Sequence, residues 1–234
     1  MTKNVVLIAG ATGGIGTACI EEFHNDGWDV VGLSRQSSFS EGRARIYGAN
    51  YEEQQSLDHA VKSIIHDYGR IDAVVHSVGD IYEPAALIDI EMERWEESFQ
   101  TCLGTAIGVT KSTYSEICDR SGCYIFISSV ASSKVYPGIA DYCAMKAALS
   151  AFSRCLANEL APHNARSNCL SPAVVNTPLF HKSDYSLEEA SAWHKLGRIG
   201  EPHEIASFAR FLANRSTGSW ITGQDYFIDG GMFL

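Results

Sequence analysis

Short runs of apolar, often β-branched residues alternate along the chain with longer stretches whose apolar positions recur at helical spacing. The first run, Val5-Val6-Leu7-Ile8-Ala9, is apolar without interruption, the pattern of a strand buried on both faces. Strands are predicted at 4–9, 29–33, 45–47, 73–76, 124–128, 167–170 and 226–228, and helices at 15–25, 56–67, 92–117, 141–160 and 201–212. Seven strands alternating with helices fit one doubly wound α/β domain over residues 1–234, a seven-stranded parallel sheet flanked by helices on both faces.

The helix at 141–160 is sharply delimited. Pro137-Gly138 makes a turn before it, Pro162 disfavours its continuation, and Met145, Leu149, Phe152, Leu156 and Leu160 fall on one apolar face. The stretch 178–194 lacks a strand pattern and is polar and aromatic in turn, so it reads as a substrate lid. No internal repeat or linker interrupts the chain.

Of the 234 residues 45% are hydrophobic and 20% charged, which places the chain with globular proteins. A formal net charge of −10, with Lys and Arg scattered, argues against a nucleic-acid partner. Met1-Thr2-Lys3-Asn4 runs straight into the first strand without a secretory pattern, and no stretch approaches membrane-spanning length. A cytoplasmic setting with no membrane partner is the default expectation. The 7 cysteines are dispersed and never form Cys-x-x-Cys, so they suggest neither a disulfide framework nor a metal site, and most read as small core residues.

Directly after the first strand, Gly10-Ala11-Thr12-Gly13-Gly14-Ile15-Gly16 opens a helix. Such a loop lets backbone N–H groups and a helix N-terminus approach a pyrophosphate, the Rossmann-type arrangement; the bland alternative is a glycine-rich turn. The second strand ends in Ser34-Arg35, with no carboxylate for the hydroxyls of an adenosine ribose. A hydroxyl followed by a guanidinium suits a 2′-phosphate and favours NADP(H) over NAD, unless Arg35 is simply a solvated charge.

Tyr142 and Lys146 lie one helical turn apart and share a face. A phenol with a pKa of about 10 is a poor base near neutrality, and a nearby ammonium favours its phenolate. Alone, the pair is more often a surface feature. Joined to the glycine loop, Ser129, and the later Ser171-Pro172-Ala173-Val174-Val175-Asn176-Thr177-Pro178, Gly197-Arg198-Ile199-Gly200-Glu201-Pro202 and Asp229-Gly230-Gly231, it makes the chain resemble the classical short-chain dehydrogenase/reductase family over nearly its whole length.

The resemblance implies an NADP-dependent oxidoreductase, a carbonyl reductase moving hydride between NADPH and a small-to-medium ketone/alcohol pair. Tyr142 would be the general acid/base, Ser129 would hold the substrate oxygen, and Lys146 would bind the nicotinamide ribose and support the tyrosine. Cofactor contacts are implied at Gly10, Thr12, Gly13, Gly14, Ile15, Gly16, Ser34, Arg35, Asn50, Tyr51, His76, Ser77, Gly79, Tyr142, Lys146, Pro172, Val175 and Thr177. Ser128 reads as structural. A homodimer or homotetramer is implied, to which Met232-Phe233-Leu234 would add an apolar contact unless it packs within its own chain. Residues 81–86 and 178–194 are expected to line the substrate pocket, with Tyr82, Phe180, Tyr185 and Trp193 as an aromatic lining or as packing.

The chain departs from the family at three places. His76-Ser77-Val78-Gly79 replaces Asn-Asn-Ala-Gly, and His76 reads as a core-edge histidine with one hydrogen bond or, more sharply, a proton carrier. Cys102 stands where the family has a helical Asn that completes its catalytic tetrad, and Ala173 replaces a glycine. Two other functions stay open: reduction of a carrier-linked 3-ketoacyl thioester, against which the acidic charge counts, and a nucleotide-binding regulatory protein with reduced or no turnover.

Overall fold

The computed structural model describes residues 3–35, 39–41 and 43–234. Its first half comprises β1 (Val5–Ala9), α1 (Gly14–Asn25), β2 (Asp29–Ser34), β3 (Phe39–Glu41), β4 (Ala44–Gly48), α2 (Gln54–Tyr68), β5 (Ala73–His76), α3 (Met92–Phe99) and α4 (Thr105–Asp119). The second half comprises β6 (Cys123–Ile127), α5 (Ala140–Leu160), β7 (Arg166–Pro172), α6 (Leu187–Ala192), α7 (Pro202–Ala213), α8 (Arg215–Gly218) and β8 (Asp225–Ile228). The strands form one sheet in the order β3-β4-β2-β1-β5-β6-β7-β8.

The seven predicted strands are all present and parallel to one another. Alternation along β1 shows why both faces must be covered. Val5, Leu7 and Ala9 enter a core with Leu57 and Ile64 of α2, Val109 of α4 and Leu149 and Leu156 of α5. Val6 and Ile8 point the other way, against Ile20 and Phe23 of α1 and Ile205 and Leu212 of α7.

Two features differ from the sequence expectation. The short strand β3 adds an antiparallel edge to β4, with Phe39 opposite Ile46 and Glu41 opposite Ala44. The helix predicted over 92–117 is divided by a π turn at Gln100–Gly104, from which the chain continues into α4. Thr105 Oγ1 donates to the Thr101 carbonyl at 2.9 Å, and a β-carbon on residue 104 would stand 2.4 Å from Gln100 Oε1. The wider turn accommodates one additional residue per helical repeat and turns Cys102 inward, fully buried. Residues 178–194 contain no strand, as expected, and hold a short turn at Phe180–Lys182 followed by α6, which starts on a Ser186/Glu189 capping box.

Behind β7, Arg166 is buried and its guanidinium serves as a hub for helix ends. Nη1 donates to the carbonyls of Leu212 and Gly218, both at 2.7 Å, and Nη2 to Ala213 at 3.3 Å. These carbonyls end α7 and α8, where unpaired acceptors and the helix dipole favour a cation. Arg166→Met is expected to lower the unfolding free energy in urea by about 3 kcal/mol, because buried acceptors lose a charged donor. A loss under about 1 kcal/mol would mean that these ends do not depend on the arginine.

Candidate active site

Between β1 and β5 the order of the strands reverses, and in open α/β sheets ligands bind at the carboxyl ends beside such a point. The glycine loop leaves β1 there. Gly10 has a φ of 81°, and Gly13 N–H donates to its carbonyl at 3.0 Å. A β-carbon at Gly16 would meet that same carbonyl oxygen at 2.1 Å, and one at Gly14 would meet Thr177 Cγ2 at 2.7 Å. The loop after β7, which carries Val175 and Thr177, therefore lies directly against the glycine loop.

Helix α1 begins at this loop without a side-chain cap and without an acidic residue in its first turn. Its N-terminal donors and partial positive charge are not neutralised by its own side chains, which fits a diphosphate group. Thr12 is exposed on the loop and Ile15 packs toward the α1/α7 core. Ser77 Oγ donates to the Ala9 carbonyl at 2.9 Å, bracing the loop from below. Tyr51 braces it from the side: its hydroxyl accepts from Gly10 N–H at 3.1 Å and donates to the Leu33 carbonyl at 2.9 Å. Burial pushes the Tyr51 phenol up to about 12. Ser34 is buried at the end of β2, and Arg35 beyond it is exposed. Asn50 uses its amide locally, donating to Glu53 Oε1 at 2.9 Å and accepting from Glu52 N–H at 3.2 Å.

Lys146 enters from α5. It is 3% exposed, and Nζ donates to the Ile127 carbonyl at the end of β6, at 2.9 Å. The same nitrogen lies 5.6 Å from the centre of the half-buried Tyr142 ring. Gly79 approaches it so closely that a β-carbon there would stand 3.0 Å from Nζ. Ser129, just past β6, caps the following turn by accepting from Ala131 N–H at 3.1 Å, so its hydroxyl proton is left to donate. Ser128 faces inward instead, with Oγ donating to the Lys146 carbonyl at 3.1 Å and 3.0 Å from Ser150 Oγ. That arrangement is structural, as its strand position implied.

His76 is an implied cofactor residue whose side chain the fold turns into the core. Its ring is fully buried beside Phe126, with Nε2 2.9 Å from Thr105 Oγ1. Because that hydroxyl gives its proton to Thr101, Nε2 is the donor and Nδ1 is left unprotonated and without a partner. Burial, and then the Lys146 charge, push the imidazole down to about 3, so it is neutral and belongs to the core. Cys102 is likewise buried, with Sγ 3.7 Å from the Asp80 carbonyl.

Of the aromatic residues expected at the pocket, Tyr82, Tyr185 and Trp193 make contacts within the chain. Tyr82 lies under the Arg94 guanidinium at 5.5 Å, and Tyr185 packs edge-on against Trp193 at 4.8 Å. The C-terminal residues fold onto their own chain: Tyr136 hydroxyl reaches Met232 Sδ at 3.7 Å, and Lys134 sits 5.0 Å over the Phe233 ring. Missed by sequence reasoning was Asp141, fully buried beside Tyr142 and paired with Arg94. An acidic residue in a first helical turn gives no sign of burial.

A family model described as enoyl-(acyl carrier protein) reductase matches residues 10–233. The 3-oxoacyl-[acyl-carrier-protein] reductase FabG of Thermotoga maritima is 31% identical over 242 residues, covering 98% of each chain. Among solved structures, the ligand-free aldohexose dehydrogenase of Thermoplasma acidophilum matches with a TM-score of 0.91 at 27% identity, covering 98% of this chain and 94% of that one. A 3-ketoacyl-(acyl-carrier-protein) reductase from Brucella melitensis shares the fold at the same TM-score of 0.91, with 23% identity over 100% of both chains.

The neutral His76 has a pH signature. The unfolded chain protonates this imidazole near 6.5 while the folded protein resists to about 3, so its contribution is full above 6.5 and is lost as pH falls toward 3. Replacing His76→Asn is expected to reduce the slope of unfolding free energy against pH by about 1 kcal/mol per pH unit between these limits. Urea titrations at several pH values measure it; equal slopes for both proteins would show that His76 titrates normally.

Proposed function

Since the chain belongs to the short-chain dehydrogenase/reductase family, and is thus an oxidoreductase acting between C=O and CH–OH groups, we propose that it reduces a small-to-medium ketone with NADPH. The observation that carries this reading is the buried Lys146 ammonium, held by Ile127 and set 5.6 Å from the Tyr142 ring, beside the uncapped glycine-loop helix.

A nicotinamide dinucleotide, when bound, supplies the hydride. Thr12, Gly14, Ile15 and Gly16 would offer backbone donors to its diphosphate on the turn shaped by Gly10 and Gly13, whose own N–H groups are already bonded, and Ser77, Gly79, Pro172, Val175 and Thr177 would line the route toward Lys146. Tyr142 gives its hydroxyl proton to the substrate oxygen as that oxygen gains charge, and Ser129 donates a hydrogen bond to the same atom. Lys146 Nζ, fixed by Ile127, has further N–H donors for ribose hydroxyls and keeps positive charge beside the phenol. In alcohol oxidation the proton moves the other way, to Tyr142. The choice of NADPH rests on Ser34 and the exposed Arg35, with no acidic side chain at either position. No described helix is long and apolar enough to cross a membrane, and a cytosolic setting suits seven free thiols. Self-association as a homodimer or homotetramer belongs to the same proposal; the exposed Trp220, Phe227 and Leu234 offer apolar surface for it.

The FabG relative favours a second reading, reduction of a 3-ketoacyl group on an acyl carrier. Against it, two of the three cations at the lid are already paired, Arg198 with Glu204 at 2.7 Å and Lys182 with Asp80 at 3.7 Å, which leaves the exposed Lys195 as a single charge and not a cluster. An acidic carrier would need unpaired basic residues there.

An NADPH-consumption screen across free ketones and carrier-linked 3-ketoacyl thioesters decides between the two. Activity on free ketones supports the first reading, and activity confined to the carrier-linked substrates sinks it in favour of the second. Tyr142→Phe is expected to lower turnover by about 10²- to 10⁴-fold while NADPH binding, followed by fluorescence, is retained. Full turnover in that variant would remove tyrosine from the mechanism. Arg35→Ala is expected to raise the Kd for NADPH by about 10- to 100-fold and leave NADH unchanged, whereas equal effects on both would show that Arg35 does not read the 2′-phosphate.

A further inference from the structure

Tyr142 projects from the first turn of α5, and that turn lacks a side-chain cap at Ile139. A buried polar cluster fixes it instead. Asp141 is fully buried and is gripped bidentately by Arg94 of α3, Nε to Oδ2 at 2.9 Å and Nη2 to Oδ1 at 3.1 Å. Ser98, one turn further along α3, donates to Oδ2 at 2.7 Å. The third nitrogen of Arg94 donates to the Glu83 carbonyl at 2.7 Å, and its guanidinium covers the Tyr82 ring. Glu83 belongs to the segment after β5 expected to line the substrate pocket. Burial alone would raise the Asp141 carboxyl, but hydrogen bonds from Arg94, Ser98 and the Tyr142 N–H, with the Arg94 charge, hold it below its ordinary value.

One guanidinium thus joins three parts: the helix that leads into the π turn, the loop after β5 and the turn bearing Tyr142. The Ala85 N–H also ties the loop to the Gly138 carbonyl at 2.9 Å, just before α5, but the guanidinium is the group that reaches all three. Cys102, on the π turn itself, offers only its 3.7 Å thiol contact to Asp80. A buried ion pair is poor evidence of stabilisation, because apolar residues of similar volume often pack as stably. Its planar, two-point geometry is better suited to fixing orientation.

We propose that Asp141, Arg94 and Ser98 form a positioning cluster that sets Tyr142 relative to the substrate loop, with none of the three touching substrate. This inference rests on the reading of Tyr142 as proton donor. Loss of the fork lets the first turn of α5 move, and displacements of about 1 Å at a reacting group cost rate on the order of 100-fold.

The test compares Arg94→Met, Arg94→Lys, Asp141→Asn and the paired apolar replacement Arg94→Met/Asp141→Leu in the full-length protein. Arg94→Met and Asp141→Asn are expected to lower kcat by about 10- to 100-fold, with Kd for NADPH changed by less than about 2-fold. Hydrogen exchange should quicken in residues 139–146 and stay unchanged over 150–160. Arg94→Lys, which keeps the charge and loses the fork, should recover only part of kcat. The apolar pair should regain Tm without regaining kcat. Recovery of kcat together with Tm in the apolar pair would overturn the proposal, as would single variants that lose Tm alone. If the unmodified protein reduces no carbonyl compound, the proposed function fails, and the exchange measurement still decides this inference: unchanged exchange in Arg94→Met overturns it.

Discussion

A single buried ammonium organises the centre of this molecule. Lys146 has lost nearly all of its water, and a desolvated charge needs acceptors in place before the fold can close around it. The Ile127 carbonyl supplies one because β6 ends just there, freeing an oxygen that the sheet no longer uses. Residue 79 approaches closely as well, where a β-carbon would press on Nζ at 3.0 Å. The neighbouring imidazole must be neutral, which the combination of burial and the lysine charge ensures at His76. Tyr142, on the same helical face, then inherits its place relative to the sheet edge from the lysine.

Much of this was legible in the sequence, for physical reasons. Parallel strands covered on both sides produce unbroken apolar runs, so all seven were found within a residue or two of their ends. Part of the site converges because residues just beyond the carboxyl ends of strands meet there, and the strand pattern placed Gly10, Ser77 and Ser129 at such ends, while α5 brings in Tyr142 and Lys146. Strand alternation separated Ser128 from Ser129, and the family resemblance assigned the site role to Ser129.

The missing parts share another logic. Strand β3 spans only Phe39–Glu41 within a polar stretch, too short for any periodicity to emerge. The π turn was invisible because α3 and α4 both continue an apolar face through it, and one wide turn barely disturbs that average. Asp141 and Arg94 are 47 residues apart, and neither carries a local mark of burial. The resemblance implied Tyr51 as a cofactor contact, yet its hydroxyl reaches under the glycine loop, a use that depends on the tertiary approach of β2 to β1.

The glycine loop holds its shape mainly by exclusion. The approach of Gly16 to the Gly10 carbonyl leaves no space for even a methyl group, while Ser77 and Tyr51 fasten the two strands at its base. Such a loop loses its conformational entropy when the domain folds, not when a ligand arrives. On the proposed reading, association then carries little ordering cost at the diphosphate, and preference between related dinucleotides would fall to the adenosine end, around Ser34 and Arg35, where the backbone leaves the sheet. On that reading, dinucleotide preference would be separable from the integrity of the loop and could drift in evolution without rebuilding the fold.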